Sequence, residues 1–195
     1  MTERSTVAPI IGVLLAAGSA SRFGGGKLLA PLADGTELGV QALKSLIAGV
    51  DGVVAVVRTD DDTLARALAN AGAQVTVCPH AAHGMGRSLA WAIRATPIAR
   101  GWVVALADMP WIRTATMQRI ADALRQGDAL VAASHQGVRG HPVGFARQFY
   151  GKLASLGGDE GAKTILHAHV AELRLIDTDD AGVALDVDTP ADLAH

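Results

Sequence analysis

The segment at residues 14–27 combines residue types that can bind phosphate. It leaves an apolar run, passes through small residues and three consecutive glycines, and carries two cations, Arg22 and Lys27. Glycine and small side chains let backbone N–H groups approach phosphate oxygens, while Arg and Lys neutralise their charge. We therefore expect a triphosphate site, at which Arg22 and Lys27 stabilise the charge of a departing pyrophosphate. The alternative is a flexible loop with solvated cations.

Two standard phosphate motifs do not fit this segment. Ser21 stands where a Walker A loop needs its first glycine, and Leu28 stands where it needs Ser or Thr. Leu29 stands where a dinucleotide-binding loop needs its third glycine. P-loop kinases and Rossmann dehydrogenases are therefore disfavoured.

Carboxylates follow two apolar runs. Asp108 comes just after the run at 102–106, where an oxygen ligand for Mg²⁺ is expected, and the alternative is a turn or helix cap. Asp186 and Asp188 alternate with Val187, which puts both carboxylates on one side of an extended chain. We expect Asp108 and Asp188 to bind the metal, with Asp186 less favoured. The alternative is that Asp188 or Thr189 caps a terminal helix beginning at Pro190.

Two other patterns allow different chemistry. Residues 86–90 resemble a nucleophile elbow around Ser88, and Asp108 and His141 follow in hydrolase order, so a serine hydrolase is an alternative. Ala90 replaces the second glycine of that motif. Cys78, His80 and His83 could bind a soft metal, but a fourth ligand is missing nearby, so we favour a packing role for them.

The elements that must position these residues alternate along the chain. Apolar runs without alternation predict buried parallel strands at 10–15, 53–57, 74–77, 102–106 and 129–133. Helical patterns lie near 37–48, 61–71, 86–95 and 114–125. After a Gly-Val-Arg-Gly-His-Pro loop, we expect a short run at 143–145, helices near 146–155 and 160–168, and strands near 172–176 and 183–187. This order predicts an α/β doubly wound sheet, with ligands at the loops after strands.

Composition agrees with one globular unit. The chain has 195 residues, 50% of them hydrophobic, which suffices for one core, and we expect a single domain with a nucleotide-binding part at about 8–133 and an acceptor part at about 134–190. A net charge of -2 provides no surface for nucleic acid. No run approaches the roughly 20 apolar residues that span a bilayer. One cysteine fits a reducing compartment, so we expect a cytoplasmic protein without a membrane partner.

Six motifs in order resemble the MobA-like nucleotidyltransferases. They are Leu14-Ala16-Ala17-Gly18 with Arg22 and Lys27, the stretch at 84–89, Ala107-Asp108-Met109-Pro110, Arg139-Gly140-His141-Pro142-Val143, the stretch at 158–162, and Asp186-Val187-Asp188-Thr189-Pro190. Taken together they are most similar to the molybdenum cofactor cytidylyltransferase branch. The Ala16-Ala17-Gly18 form favours the cytidylyl over the guanylyl branch.

This resemblance implies a Rossmann-like three-layer α/β/α fold with a mostly parallel mixed sheet. It also implies Mg²⁺ and transfer of a nucleotidyl group, CMP from CTP, to a pterin phosphate, with pyrophosphate released. The residues it implies for the nucleotide are Leu15, Ala16, Ala17, Gly18, Arg22, Lys27, Pro79, Gly84, Gly86 and Ser88. Those implied for the acceptor are Gly140, His141, Pro142 and Asp159. Catalysis would fall to Arg22, Lys27 and Asp108. Use of GTP, and a non-catalytic accessory protein that delivers cofactor to a molybdoenzyme, are the alternatives.

Overall fold

Runs of valine, isoleucine and leucine form a seven-stranded mixed sheet. We describe it from a computed structural model that covers residues 8–18, 23–159 and 161–194. The strands are β1 (Ile10–Leu15), β2 (Gly52–Val57), β3 (Gln74–Val77), β4 (Gly101–Leu106), β5 (Leu130–His135), β6 (Val138–Ala146) and β7 (Leu173–Asp177). Their order is β3-β2-β1-β4-β6-β5-β7, and β6 runs antiparallel to both of its neighbours while the other pairs are parallel.

Helices cover both faces of this sheet. They are α1 (Leu38–Ile47), α2 (Asp62–Asn70), α3 (Met85–Ala95), α4 (Thr114–Gln126), α5 (Tyr150–Ala154) and α6 (Lys163–Ala168). Apolar side chains of α1, α2 and α4 pack in one core, and those of α3, α5 and α6 pack in a second core on the opposite face. The three-layer Rossmann-like fold is therefore confirmed.

The central strands are apolar throughout because both of their faces are covered. In β1, Ile10 and Leu14 belong to one core, and Val13 and Leu15 belong to the other. Successive side chains of a strand point to opposite faces, so a strand between two helix layers needs apolar residues at every position. The edge strand β3 differs from the prediction of a buried strand, since all four of its residues keep some exposure.

The loop predicted before residue 143 is wrong, since residues 138–142 belong to β6. Glycine and proline at 140 and 142 indicate a break, and the ladder does break there: Arg139 pairs with Ser134 and Val143 with Ala132, with a register shift between them. Pro142 lies in this irregular stretch, where a residue without an N–H costs no ladder hydrogen bond. The strand continues on both sides of the irregularity.

The strand predicted at 183–187 is also wrong. A 3-10 helix covers Ala181–Ala184, and an extended segment without a strand partner follows. Val183 and Val187 are fully buried, so their apolar character reflects packing between loops and not a sheet ladder. The terminal helix is a 3-10 helix, Pro190–Ala194.

One sheet joins the two parts that the sequence suggested. The antiparallel strand β6 lies between β4 and β5, so the later part of the chain is inserted into the earlier part. Within the ranges that the structure describes, none of the helices has both the length and the apolar character required to cross a bilayer.

Candidate active site

A cavity of about 680 Å³ opens at the carboxyl ends of β1, β2, β3 and β4. Doubly wound sheets bind ligands at this edge because the loops that follow the parallel strands meet there. The cavity brings together many of the residues that the sequence predicted: Leu15, Ala17, Gly18, Lys27, Pro79, Gly84, Ser88, Asp108 and Asp159 line it. Ala16 lies just beneath, in the core, where its N–H donates to the carbonyl of Val56 at 2.9 Å.

Lys27 is the centre of a charged cluster at this cavity. Its Nζ lies 2.8 Å from Asp108 Oδ2 and 4.0 Å from Asp188 Oδ1, and it donates a hydrogen bond of 2.7 Å to the carbonyl of Val187. The side chain is only 10% exposed. A buried ammonium of this kind requires compensating oxygens, and here they come from two loops far apart in the chain.

Asp188 is aimed at Lys27 by its neighbours. Val187 is fully buried, and its N–H donates to the carbonyl of Asp108 at 2.9 Å. Asp192, in the terminal 3-10 helix, accepts from the N–H groups of Asp188 and Thr189 at 3.0 and 2.7 Å. The Asp188 carboxylate faces Lys27 at 4.0 Å, and Asp186 is exposed beside it.

Two carboxylates around one cation fit a magnesium ion of the substrate-bridging kind. Mg²⁺ is commonly held by one or two protein carboxylates, several waters and the phosphates of its substrate. Among the described residues, no group of three or more His, Cys, Asp or Glu side chains could hold a metal by itself. Asp108 and Asp188 instead lie 2.8 and 4.0 Å from the ammonium of Lys27.

The first turn of α3 and the loop at 157–159 form the opposite wall. The N–H of Gly86 donates to the carbonyl of Gly158 at 2.9 Å, and a methyl group at Gly86 would lie 2.8 Å from the carbonyl oxygen of Gly157. At Gly84, a side chain would clash with Gly158 and Asp159. Both glycines therefore allow this close approach. It places Asp159, predicted to contact the acceptor, against residues predicted to contact the nucleotide.

The Gly140-His141-Pro142 stretch is built differently. Gly140 packs directly under the carbonyl of Val183, which leaves no space for a side chain. His141 Nδ1 lies 3.5 Å from the carbonyl of Val104, and burial holds the pKa of its imidazole below the usual value. Neither Gly140 nor His141 is among the residues that line the two described cavities.

Arg58 and Asp60 also line the cavity, and the sequence analysis missed them. Arg58 Nε and Nη2 donate to the two carboxylate oxygens of Asp60 at 3.1 and 2.8 Å, and this pairing raises the pKa of Arg58 and lowers that of Asp60. The pair also lines a second cavity of about 340 Å³ beside Gly25, Gly26 and Lys27. The signal was available, because the loop after β2 is subject to the same rule as the loops after β1 and β4.

Comparison with known proteins identifies the family. A model described as the MobA-like NTP transferase domain matches residues 12–173. This protein belongs to the MobA-like NTP transferase family. It is therefore of the nucleotidyltransferase type.

Relatives of this MobA-like protein cover nearly its whole length. The purine catabolism protein PucB of Bacillus subtilis is 30% identical over 93% of this chain and 92% of its own. Nicotine blue oxidoreductase of Paenarthrobacter nicotinovorans is 31% identical, with 92% of each chain covered. The crystal structure of Rv0371c from Mycobacterium tuberculosis superposes with a TM-score of 0.84 at 33% identity, covering 97% of both chains, and a second structure of Rv0371c contains manganese.

Within the described part of this MobA-like chain, the serine-hydrolase and soft-metal patterns do not assemble into sites. Ser88 is buried inside α3, and among the described side chains no hydrogen bond links it to His141 or Asp108. Cys78 is buried with its Sγ 4.0 Å from the carbonyl of Arg87. Arg22 lies outside the described residues, so its predicted contact with the triphosphate stays a prediction.

Proposed function

We propose that this MobA-like protein transfers CMP from CTP to a pterin phosphate in a Mg²⁺-dependent reaction that releases pyrophosphate. The observation that carries the proposal is the ammonium of Lys27 between Asp108 and Asp188, at the edge of a cavity built by the loops after β1 to β4. Such a cluster provides both a cation for phosphate oxygens and carboxylates for a metal. The manganese complex of the relative Rv0371c supports a divalent ion in the reaction.

The reaction needs positioning and charge neutralisation more than acid–base groups. A phosphate oxygen of the acceptor attacks the α-phosphorus of CTP in line, a new P–O bond forms, and the bond to the β-phosphate oxygen breaks, so pyrophosphate leaves. The acceptor phosphate is already ionised, so no general base is required. Bound Mg²⁺ would neutralise charge on phosphate oxygens, with Asp108 and Asp188 as its protein ligands.

Each side chain has a role in this proposal. Lys27 and Arg22 stabilise the charge that develops on pyrophosphate, a term commonly worth about 10²–10³ in turnover. The backbone at Leu15 to Gly18, together with Pro79, Gly84, Gly86 and Ser88, holds the nucleotide. Asp159 contacts the acceptor, and the contact of the 157–159 loop with α3 supports a position for Asp159 close to the nucleotide. Gly140, His141 and Pro142 line neither described cavity, so their contact with the acceptor stays a prediction.

Pyrophosphate release tests the proposal directly. Purified protein with Mg²⁺ and a pterin phosphate is offered CTP, GTP, ATP or UTP, and we expect release with CTP that depends on the acceptor. Pyrophosphate release with GTP alone would show that the nucleotide substrate is GTP and not CTP. NADPH oxidation is followed in parallel, because one relative is named an oxidoreductase. Oxidation of NADPH without pyrophosphate release would overturn the transferase.

A further inference from the structure

Lys27 is bound to the same oxygens that a divalent ion would use. Among the described residues, its Nζ has three oxygen neighbours, from Asp108, Asp188 and the backbone of Val187, at 2.8, 4.0 and 2.7 Å. Of the two carboxylates, Asp108 lies nearer to the ammonium, and it is also the stronger candidate for a metal ligand. In this arrangement the cluster already contains a cation, supplied by the chain itself.

An ammonium and a divalent ion compete for this position. Magnesium requires ligand oxygens at about 2.0–2.1 Å in near-octahedral geometry, and the two oxygens of one carboxylate lie close together, so an ion bound by Asp108 would lie within a few ångströms of the ammonium on Oδ2. Repulsion between a divalent and a monovalent ion is twice that between two monovalent ions at the same distance, and it is weakly screened at a side chain that is 10% exposed.

We propose that Lys27 is an internal counter-ion that blocks the metal site until a triphosphate draws the ammonium away. The proposal rests on the proposed function, because it assumes that Asp108 and Asp188 are the metal ligands. Triphosphate oxygens provide Lys27 with an alternative set of anionic partners, so nucleotide binding releases the carboxylates for the metal. Metal and nucleotide then bind with positive coupling, and each raises the affinity of the other by the same factor.

Removing the ammonium should open the metal site in the absence of nucleotide. Manganese binding is measured by the electron paramagnetic resonance of free Mn²⁺ in wild type and in the Lys27→Met variant, whose unbranched side chain is slightly shorter than that of lysine and carries no charge. We expect Lys27→Met to bind Mn²⁺ about tenfold tighter, within the usual range of coupling between sites. Equal or weaker binding than wild type, including no binding to either protein, would overturn the proposal.

Arg58→Met is the matched control for the loss of a nearby positive charge. Arg58 lines the same two cavities as Lys27, but its guanidinium pairs with Asp60 and lies outside the Asp108 cluster. We expect this variant to bind Mn²⁺ with nearly the affinity of wild type. If Arg58→Met gained as much Mn²⁺ affinity as Lys27→Met, the effect would come from the overall electrostatic potential of the cavity. That result would contradict a direct competition between Lys27 and the metal.

A measurement on the wild-type protein covers the case in which Lys27→Met does not fold. Lysines are acetylated briefly without Mn²⁺ and with Mn²⁺ at a concentration high enough to outcompete the ammonium, and the modified peptides are quantified by mass spectrometry. Displaced from its carboxylates, Lys27 should react several-fold faster with Mn²⁺, while the exposed Lys44 on α1 should react at the same rate in both samples. An unchanged or slower rate at Lys27 would contradict the proposal.

Neither experiment contains nucleotide or acceptor, so their outcome is separate from that of the transferase assay. If pyrophosphate is released but Lys27→Met does not gain Mn²⁺ affinity, the counter-ion proposal fails and the transferase stands. If the variant gains affinity but no nucleotide is turned over, the cation site stands and the proposed reaction fails.

Discussion

At the scale of single residues, the contacts of Lys27 distinguish Asp188 from Asp186. Its Nζ is 4.0 Å from Asp188, whose side chain is half-buried, whereas Asp186 is exposed. Alternation in an extended chain treats the two carboxylates alike, since both point away from Val187. The choice between them depends on where the Asp108 loop lies, and that is a property of the folded chain.

Asp188→Asn should therefore damage the reaction more than Asp186→Asn. Loss of a carboxylate at the cation site removes transition-state charge stabilisation, and we expect turnover to fall about 10²-fold or more. Asp186→Asn removes the same negative charge, but from an exposed side chain, so its turnover should fall less than about threefold. Steady-state pyrophosphate release measures both, with circular dichroism as the check on folding. Equal losses would show that the two carboxylates share the role.

His141 should make stability depend on pH. Burial lowers the pKa of its imidazole, so between the usual value near 6.5 and the lowered value the unfolded chain binds a proton that the folded chain does not. The free energy of unfolding therefore falls as pH drops through this window, by about 1.4 kcal/mol per unit of lowering, and is regained as pH rises.

The measurement is urea unfolding at pH 7.5 and 5.5 of wild type, His141→Gln and His167→Gln. The His141 variant should lose less stability at the lower pH than wild type does. His167 is exposed on α6, so its replacement should leave the pH dependence as it is in wild type. A His141 variant with the wild-type pH dependence would contradict the effect of burial.

At the scale of elements, the site depends on how closely α3 approaches the loop at 157–159. Gly86→Ala introduces a methyl group 2.8 Å from the carbonyl oxygen of Gly157, against backbone that cannot rotate away. We expect the free energy of unfolding to fall by about 1–3 kcal/mol, the usual cost of overpacking. Nucleotide binding should also weaken, because Asp159 and Gly84 line the cavity at this contact.

Gly151→Ala is the control for Gly86→Ala. Gly151 lies in α5, and a methyl group there would meet nothing within 4 Å. Alanine stabilises a helix relative to glycine by roughly 0.5–1 kcal/mol, so the control should be neutral or more stable than wild type. If Gly86→Ala is as stable as Gly151→Ala in urea unfolding, the close contact between Gly86 and the Gly157 carbonyl does not contribute to stability.

The local sequence pattern predicts strands well where both faces of the sheet are covered alike, and poorly where contacts with distant segments decide the structure. The first four strands lie between two apolar layers or at their edge, and their bounds agree with the apolar runs to within a residue or so. The strand β6 contains a glycine and a proline that are tolerated because Gly140 meets a carbonyl and Pro142 lies in a register shift. Both depend on tertiary contacts, which the local sequence pattern does not reveal.

The candidate site shows the same division. The position of Asp108 follows from its place after a buried run, and the Leu15 to Gly18 loop follows from its place after β1. The charges of Arg58 and Asp60 alone look like those of a solvated pair, and only their place in the loop after β2 indicates that they face the cavity. The partnership of Lys27 with carboxylates was likewise not predicted, since the sequence assigned the lysine to phosphate only.

At the scale of the whole molecule, the site is closed by segments from both ends of the chain. The hydrogen bond from Lys27 to Val187 spans 160 positions, and β6 lies between β4 and β5 in a single sheet. A ligand that bridges these segments binds the folded chain and not the unfolded one. Its binding energy therefore adds to the stability of the whole sheet and not to that of one loop.

Thermal unfolding should accordingly report the ligand. At about 100 times its dissociation constant, Mg²⁺ with CTP should add about 2.7 kcal/mol, and since 1 kcal/mol shifts Tm by roughly 2–4 °C in a chain of this size, we expect a rise of about 5–11 °C. Asp108→Asn should lose the part of this rise in Tm that depends on Mg²⁺, because the variant lacks the carboxylate that we propose as a metal ligand. A rise of equal size with and without Mg²⁺ would place the nucleotide away from the Asp108 cluster. No rise with any nucleotide would mean that the cavity at the carboxyl ends of β1 to β4 binds another class of ligand.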